Sequence, residues 1–453
     1  MIKMKRWLSV ILAGILCLLY GCGETSKPEN SAAQYSMGFG CADIAVPQNS
    51  GFPLYIAGYH MGEEIAGVLD EQQVRAVWID DGEASVVIIA VDCIGLSSST
   101  VAQIREKLKE FCVATDCGSI NVVSTHTHAG IDTLGLWGPV GIDGKNPDFM
   151  DALIDSAAKA AQDAYSDRCA GRLFYGKTET EGLQSDSRGP SVYDSNLYQL
   201  RFEPFDGKHN AIRVFSFAAH AESLRGANRM VSRDYPGAVC DIIAAETGDD
   251  AVYLPGAIGG LIMTPVLCKG YFDSEENLRV TARKIADAVL KTDGMRALEP
   301  KLSCARVEFE TELDNTLFIY YKFLGILQNN TRRGISGEYM IESELNVLRF
   351  GELSLALIPG EIFPELVSGT GKTEDPEALC SIARRHGAEE LIVVGLANDE
   401  LGYIVAPSDY LLDDELPYFN EAAGDHYEET NSVGKGCAVK IAEVFEKALA
   451  MTE

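Results

Sequence analysis

The chain has 453 residues, 46% of them hydrophobic, and a formal net charge of −29. Its apolar content suffices for one large core or two intimate ones. The acidity argues against nucleic-acid phosphate as a partner and against electrostatic adhesion to anionic lipid.

The N-terminus "MIKMKRWLSVILAGILCLLYGCGE" opens with Lys3, Lys5 and Arg6, followed by an apolar run from Trp7 to Tyr20. The run is too short for a membrane span and has the flanks of a secretory signal. "LYGC" resembles a bacterial lipobox, with Leu19 and Gly21 in place and Tyr20 where a smaller residue is usual. Residues 1–21 are therefore expected to be a lipoprotein signal peptide. Cys22 is then the lipidated first residue of an exported protein held on the bacterial cell envelope. An ordinary signal peptide is the plainer alternative. Residues 22–37 are polar and aperiodic, as expected of a tether, which leaves residues 38–453 as the folded domain. The remaining cysteines form no C-x-x-C pair, so neither a zinc ribbon nor a thioredoxin-like site is indicated. Cys112 and Cys117 stand where a disulfide could close a small loop.

Strand-like and helix-like segments alternate along the domain. "SVVIIAVD" at 85–92 reads as a buried strand, and "TVAQIREKLKEF" as a helix with Val101, Ile104, Leu108 and Phe111 on one stripe. The strand "INVVST" and the long helix "FMDALIDSAAKAAQDAY" follow. Further on come the strand "AIRVFSFAAH", the helix "SEENLRVTARKIADAVL", the strands "LSLALIP" and "LIVVGLA", and a closing helix "GKGCAVKIAEVFEKAL". The order predicts an α/β fold: a layered, mixed sheet with flanking helices.

Polar residues cluster where strands stop. His126 and His128 follow "INVVST" in "NVVSTHTHAG", His220 follows "VFSFAA", Glu361 follows "LSLALIPG", and Tyr403 follows "LIVVGLANDELG". Residues i and i+2 of a strand share a face, so the two histidines of H-x-H can enter one pocket. Ligand sites of open α/β sheets gather beyond the carboxyl ends of strands. Two imidazoles, a carboxylate and a phenol form a ligand set suited to zinc. A polar strand end with solvated imidazoles accounts equally well for H-x-H taken alone.

The blocks "THTHAG", "SRGPSVY", "FAAHAESL", "PGEIF" and "ANDELGYIVAPSDY" resemble, in order, those of the neutral, non-lysosomal ceramidase family. The resemblance implies a metallohydrolase domain that holds zinc through His126, His220, Glu361 and Tyr403. It puts His128 beside the metal against substrate, matches Arg188 to an arginine of the family, and sets Tyr427 in "HYEETNS" facing the scissile carbonyl. The implied reaction is hydrolysis of an amide in an N-acylated lipid or small molecule, with His128, Arg188 and Tyr427 as catalytic groups and no protein partner. Departures are "HTHAGIDT" in place of the family's "HTHSGPGG", and "PGAIGGLIMTPV" where a loop with an active-site serine is usual, Thr264 being the nearest echo. No C-terminal sandwich domain is expected. A zinc hydrolase of another N-acyl amide or ester, and a non-catalytic binding lipoprotein, are the alternatives.

Overall fold

The computed structural model describes residues 34–262 and 274–453, apart from Glu181 and Pro190. The expected signal peptide, Cys22, most of the tether and Thr264 lie outside the described residues. The first strand, Tyr35–Asp43, begins within the span expected to be tether. No described helix is long and apolar enough to cross a membrane.

The described strands build two large mixed sheets. The first runs in the order Asp250–Pro255, Ile212–Phe217, Asn196–Pro204, Cys169–Glu179, Tyr35–Asp43, Gln73–Asp80, Ser85–Val91, Ser119–Ser124. The second runs Leu302–Glu312, Tyr339–Phe350, Leu353–Leu357, Glu390–Val394. One apolar layer takes side chains from both sheets, for example Val77, Ile88 and Leu200 from the first with Leu348, Leu355 and Ile392 from the second. The outer face of the first sheet is covered by Pro147–Asp167 and Ser98–Lys107. That of the second is covered by Cys437–Ala450. The result is helices, sheet, sheet, helices, which bears out the expected layered α/β class.

Local chemistry explains the joints. Ser85–Val91 is buried at every residue, as a β-branched strand between two neighbours must be. Gly38 and Gly40 have no room for a Cβ, because the carbonyls of Ala164 and Ala160 press against them. The long helix therefore lies directly on Tyr35–Asp43. The helix expected over 100–111 is two helices, Ser98–Lys107 and Lys109–Thr115. They are parted at Leu108, whose φ of −92° and ψ of 0° mark a tightened turn that keeps its side chain in the core. Cys112 and Cys117 are free thiols, with Cys117 Sγ directed at Ser119 O at 3.6 Å.

The first sheet curls strongly. Asp250–Pro255, last in its order, contacts Gln73–Asp80, Ser85–Val91 and Ser119–Ser124 near the other end. The two sheets are also joined by backbone. Beyond Glu390–Val394 the chain runs along Ser119–Ser124, with Ser124 N–H donating to Leu396 O at 3.1 Å and Asn398 N–H to Val122 O at 2.7 Å.

Candidate metal centre

Four segments converge where these joints meet. His126 leaves the end of Ser119–Ser124 with a positive φ of 63°, a conformation that bulky L-residues occupy only under constraint. Its N–H is held by Cys93 O at 2.9 Å. A parallel bridge between Thr127 and Ala221, with His128 N–H donating to Ala221 O at 2.9 Å, ties this segment to the one carrying His220. Glu361 and Tyr403 stand directly opposite one another in the two-residue parallel pair Glu361–Ile362 and Tyr403–Ile404.

The side chains meet accordingly. His220 Nε2 lies 2.9 Å from Glu361 Oε2 and 3.2 Å from the Tyr403 hydroxyl. His126 Nε2 lies 3.3 Å from the same carboxylate oxygen and 3.1 Å from His128 Nε2. The other ring nitrogens are fixed by backbone: His126 Nδ1 to Ile94 O at 2.6 Å and His220 Nδ1 to Leu261 O at 2.7 Å. A carbonyl can only accept, so both rings carry their proton on Nδ1 when neutral and turn an Nε2 lone pair toward Glu361. Lone pairs and a carboxylate facing one another in a buried place form a donor set that a cation satisfies, with backbone carbonyls orienting the imidazoles. His126, His128 and His220 offer ring nitrogens within 4.8 Å of one another, a group able to hold a metal ion.

The electrostatics follow from burial and proximity. Burial pulls His220 down, yet the Glu361 carboxylate raises it to about 9. Burial would raise Glu361, but His126 and His220 hold it well below the usual carboxylate range. Burial, reinforced by His126, lowers His128 to about 3. His128 is packed against Gly58, where a Cβ would strike its ring, and the edge of Tyr59 lies 5.3 Å away, centroid to centroid.

A cavity of about 340 Å³ opens on this cluster, lined by His126, His128, Glu361, Tyr403 and Tyr427 and walled by apolar groups including Leu136, Trp137 and Phe318. The Tyr427 hydroxyl is 2.7 Å from that of Tyr403. Arg188 departs from its expected place. It does not line the cavity, and its guanidinium is engaged by Asp409 at 2.6 Å, Glu429 at 3.1 Å and Glu428 at 3.2 Å. Three carboxylates outcompete any substrate group for that charge, so Arg188 anchors the short helix Tyr427–Thr430. Sequence reasoning missed Tyr59, whose hydroxyl donates to Glu222 at 2.6 Å, and Glu400, part of the cavity wall. Glu400 lay within the quoted "ANDELGY" block, and its separation from Tyr403 was the available signal.

Fold and cluster together define a layered α/β domain with a largely buried group of histidines able to hold a metal ion. Residues 35–252 match the family model described as neutral/alkaline non-lysosomal ceramidase, N-terminal, which bears out the resemblance read from the motifs. The matched segment carries His126, His128, Arg188 and His220 and stops short of Glu361, Tyr403 and Tyr427. The fold is also that of neutral ceramidase from Pseudomonas aeruginosa, at a TM-score of 0.74 and 16% identity over 92% of this chain and 74% of that one. A ceramidase complexed with C2 matches at a TM-score of 0.69 and 16% identity, over 92% of this chain and 75% of that one. No curated protein matches by sequence.

Proposed function

We propose that the chain is a zinc-dependent hydrolase of an amide bond in an N-acylated substrate, ceramidase-like, acting on ceramide or a related N-acyl sphingoid. The observation that carries this reading is the buried convergence of His126 Nε2, His220 Nε2, Glu361 Oε2 and the Tyr403 hydroxyl, with both rings locked by backbone carbonyls. These four residues would hold the zinc, for which two imidazoles and oxygen ligands are a fitting set. When bound, zinc supplies a Lewis acid that polarises a carbonyl and brings the pKa of water toward neutrality.

The chain's own residues do the rest. His128 stands beside His126 in the cavity wall, where an imidazole kept neutral by burial can hydrogen-bond the attacking water or the substrate carbonyl. Tyr427 offers a hydroxyl at the same edge for the negative charge that develops on the carbonyl oxygen. Arg188 acts through Tyr427 by holding its helix. The apolar wall receives the acyl chain and excludes water.

The cavity's modest volume favours a second reading, hydrolysis of a smaller N-acyl amide or an ester by the same groups. Metal analysis of purified protein, followed by a panel of acyl amides and esters of graded length, tests both. Stoichiometric zinc with amide turnover supports the proposal, ester-only turnover supports the second reading, and a metal-free, inactive protein that binds lipid leaves a binding lipoprotein. We also assign residues 1–21 as a signal and Cys22 as the lipid anchor outside the cytoplasm. Intact mass of the membrane-bound protein tests this, and retention of residues 1–21 would overturn it.

A further inference from the structure

We infer that the chain carries a second metal site, apart from the histidine cluster, in which Cys169, Asp206 and His209 take a divalent cation of the zinc class. The inference goes beyond the hydrolase reading and does not depend on it. A thiol sulfur, a carboxylate oxygen and a ring nitrogen of these three residues lie within 4.8 Å of one another. They come from two elements. Cys169 opens the strand Cys169–Glu179, while Asp206 and His209 belong to the turn that joins Asn196–Pro204 to Ile212–Phe217. Strand pairing brings that turn alongside the cysteine: Gly171 stands opposite Pro204, and Phe205 N–H donates to Ala170 O at 3.0 Å. His220 follows the far end of Ile212–Phe217, so the two centres lie at opposite ends of one strand, about 20 Å long.

The donors are held in place. Gly207, at a φ of 62°, turns the chain back so that Asp206 Oδ1 accepts the N–H groups of Lys208 at 2.8 Å and His209 at 3.2 Å. The other carboxylate oxygen faces His209 Nδ1 at 2.7 Å. An ion pair accounts for those two residues and gives no reason for the sulfur beside them. Cys169 is a free, half-buried thiol, and its long contact with Met37 O, 3.9 Å, uses the S–H proton and not the sulfur lone pairs. The charged groups acting on that thiol are Asp206 and Asp167, both acidic. Such neighbours disfavour a bare thiolate but favour one bound to a divalent cation, which takes a sulfur lone pair as the thiol proton leaves to solvent. The donor set fixes the class of ion, since sulfur with imidazole suits zinc and its softer relatives, whereas magnesium and calcium take oxygen ligands. Three protein ligands leave a fourth position to water, so the ion would be exchangeable, and it would fasten the turn to the start of Cys169–Glu179.

The test titrates cobalt(II) into the full chain under reducing conditions, because cobalt stands in for zinc and a thiolate ligand gives it a charge-transfer band in the near ultraviolet. Wild type should show the band. His126→Ala, in which the histidine cluster is disabled, should show it too, saturating at one equivalent of cobalt and abolished by one equivalent of zinc but not by excess magnesium. In the same His126→Ala background, Cys169→Ser should lose the band, and His209→Ala, a change in a surface turn, should weaken cobalt binding at least about tenfold. Circular dichroism checks that each variant is folded. A band that survives Cys169→Ser, a band that needs His126, or no band in folded wild type overturns the inference. If Cys169→Ser does not fold, His209→Ala decides alone: a tenfold weaker affinity supports the site, and unaltered affinity removes it.

Discussion

The carboxylate–phenol half of the site and the histidine half are built by different means. Leu353–Leu357 and Glu390–Val394 are parallel neighbours, so their carboxyl ends lie side by side, and the chain beyond each supplies Glu361 and Tyr403 in register. Ser119–Ser124 and Ile212–Phe217 stand near opposite ends of their sheet and, by the sequence of pairings between them, run in opposite senses. His126 and His220 meet because that sheet curls until Asp250–Pro255 reaches the strands at its other end. The open-sheet rule thus explains one half of the site, and long-range curvature explains the other.

The comparison breaks most visibly at His126. His126→Ala is expected to lose most bound metal and bring turnover to background, whereas His128→Ala keeps near-stoichiometric metal and turns over poorly. Metal content and rates on both purified variants check this, and the reverse pattern would exchange the roles of the two rings. Next in size, Tyr427→Phe should retain metal and lose about 100 to 1000-fold in turnover, the usual consequence of removing one preorganised donor. Unchanged kinetics would take Tyr427 out of the mechanism. Arg188→Ala uncovers buried Glu428 and Glu429, so urea denaturation should record a loss of about 3–5 kcal/mol. A variant as stable as wild type would show that the anchor is dispensable.

The smallest effect lies in the joint between the halves. Burial pushes Asp399 up to about 7, so between its unfolded value near 4 and about 7 the folded protein holds a proton that the unfolded chain has lost. Stability therefore falls as pH rises through that window. Asp399→Asn should flatten that part of the profile by a few kcal/mol at most, about 1.4 for each pH unit removed. Denaturation midpoints from pH 4 to 8 measure it, and an unchanged slope would assign the pH dependence to other buried acids.

Much of this was legible because strands and helices advertise their periodicity. The helix over Ser274–Leu290 and the strand before His126 fall where their patterns place them. The break at Leu108 did not show, since both helices continue one apolar stripe and the interruption is a matter of two backbone torsions. The four residues that strand ends and a family resemblance single out do meet in space: Glu361 lies against both His126 and His220, and Tyr403 against His220. Arg188 was misjudged because a guanidinium in a quoted block looks the same whether it faces a carbonyl or three acids, and two of those acids lie some 240 residues away. Glu400 stands three residues before Tyr403 in a quoted block, a spacing the sequence displays, but its place in the cavity wall is a product of the fold.

The seam in which Leu396 and Asn398 run along Ser119–Ser124 also has a bearing on how the cluster comes together. The edge beside His126 is locked by backbone that lies far along the chain from it, so local folding of the first sheet leaves that edge open. A cation site formed there would exist only once both sheets have docked, which couples any metal binding to completion of the fold.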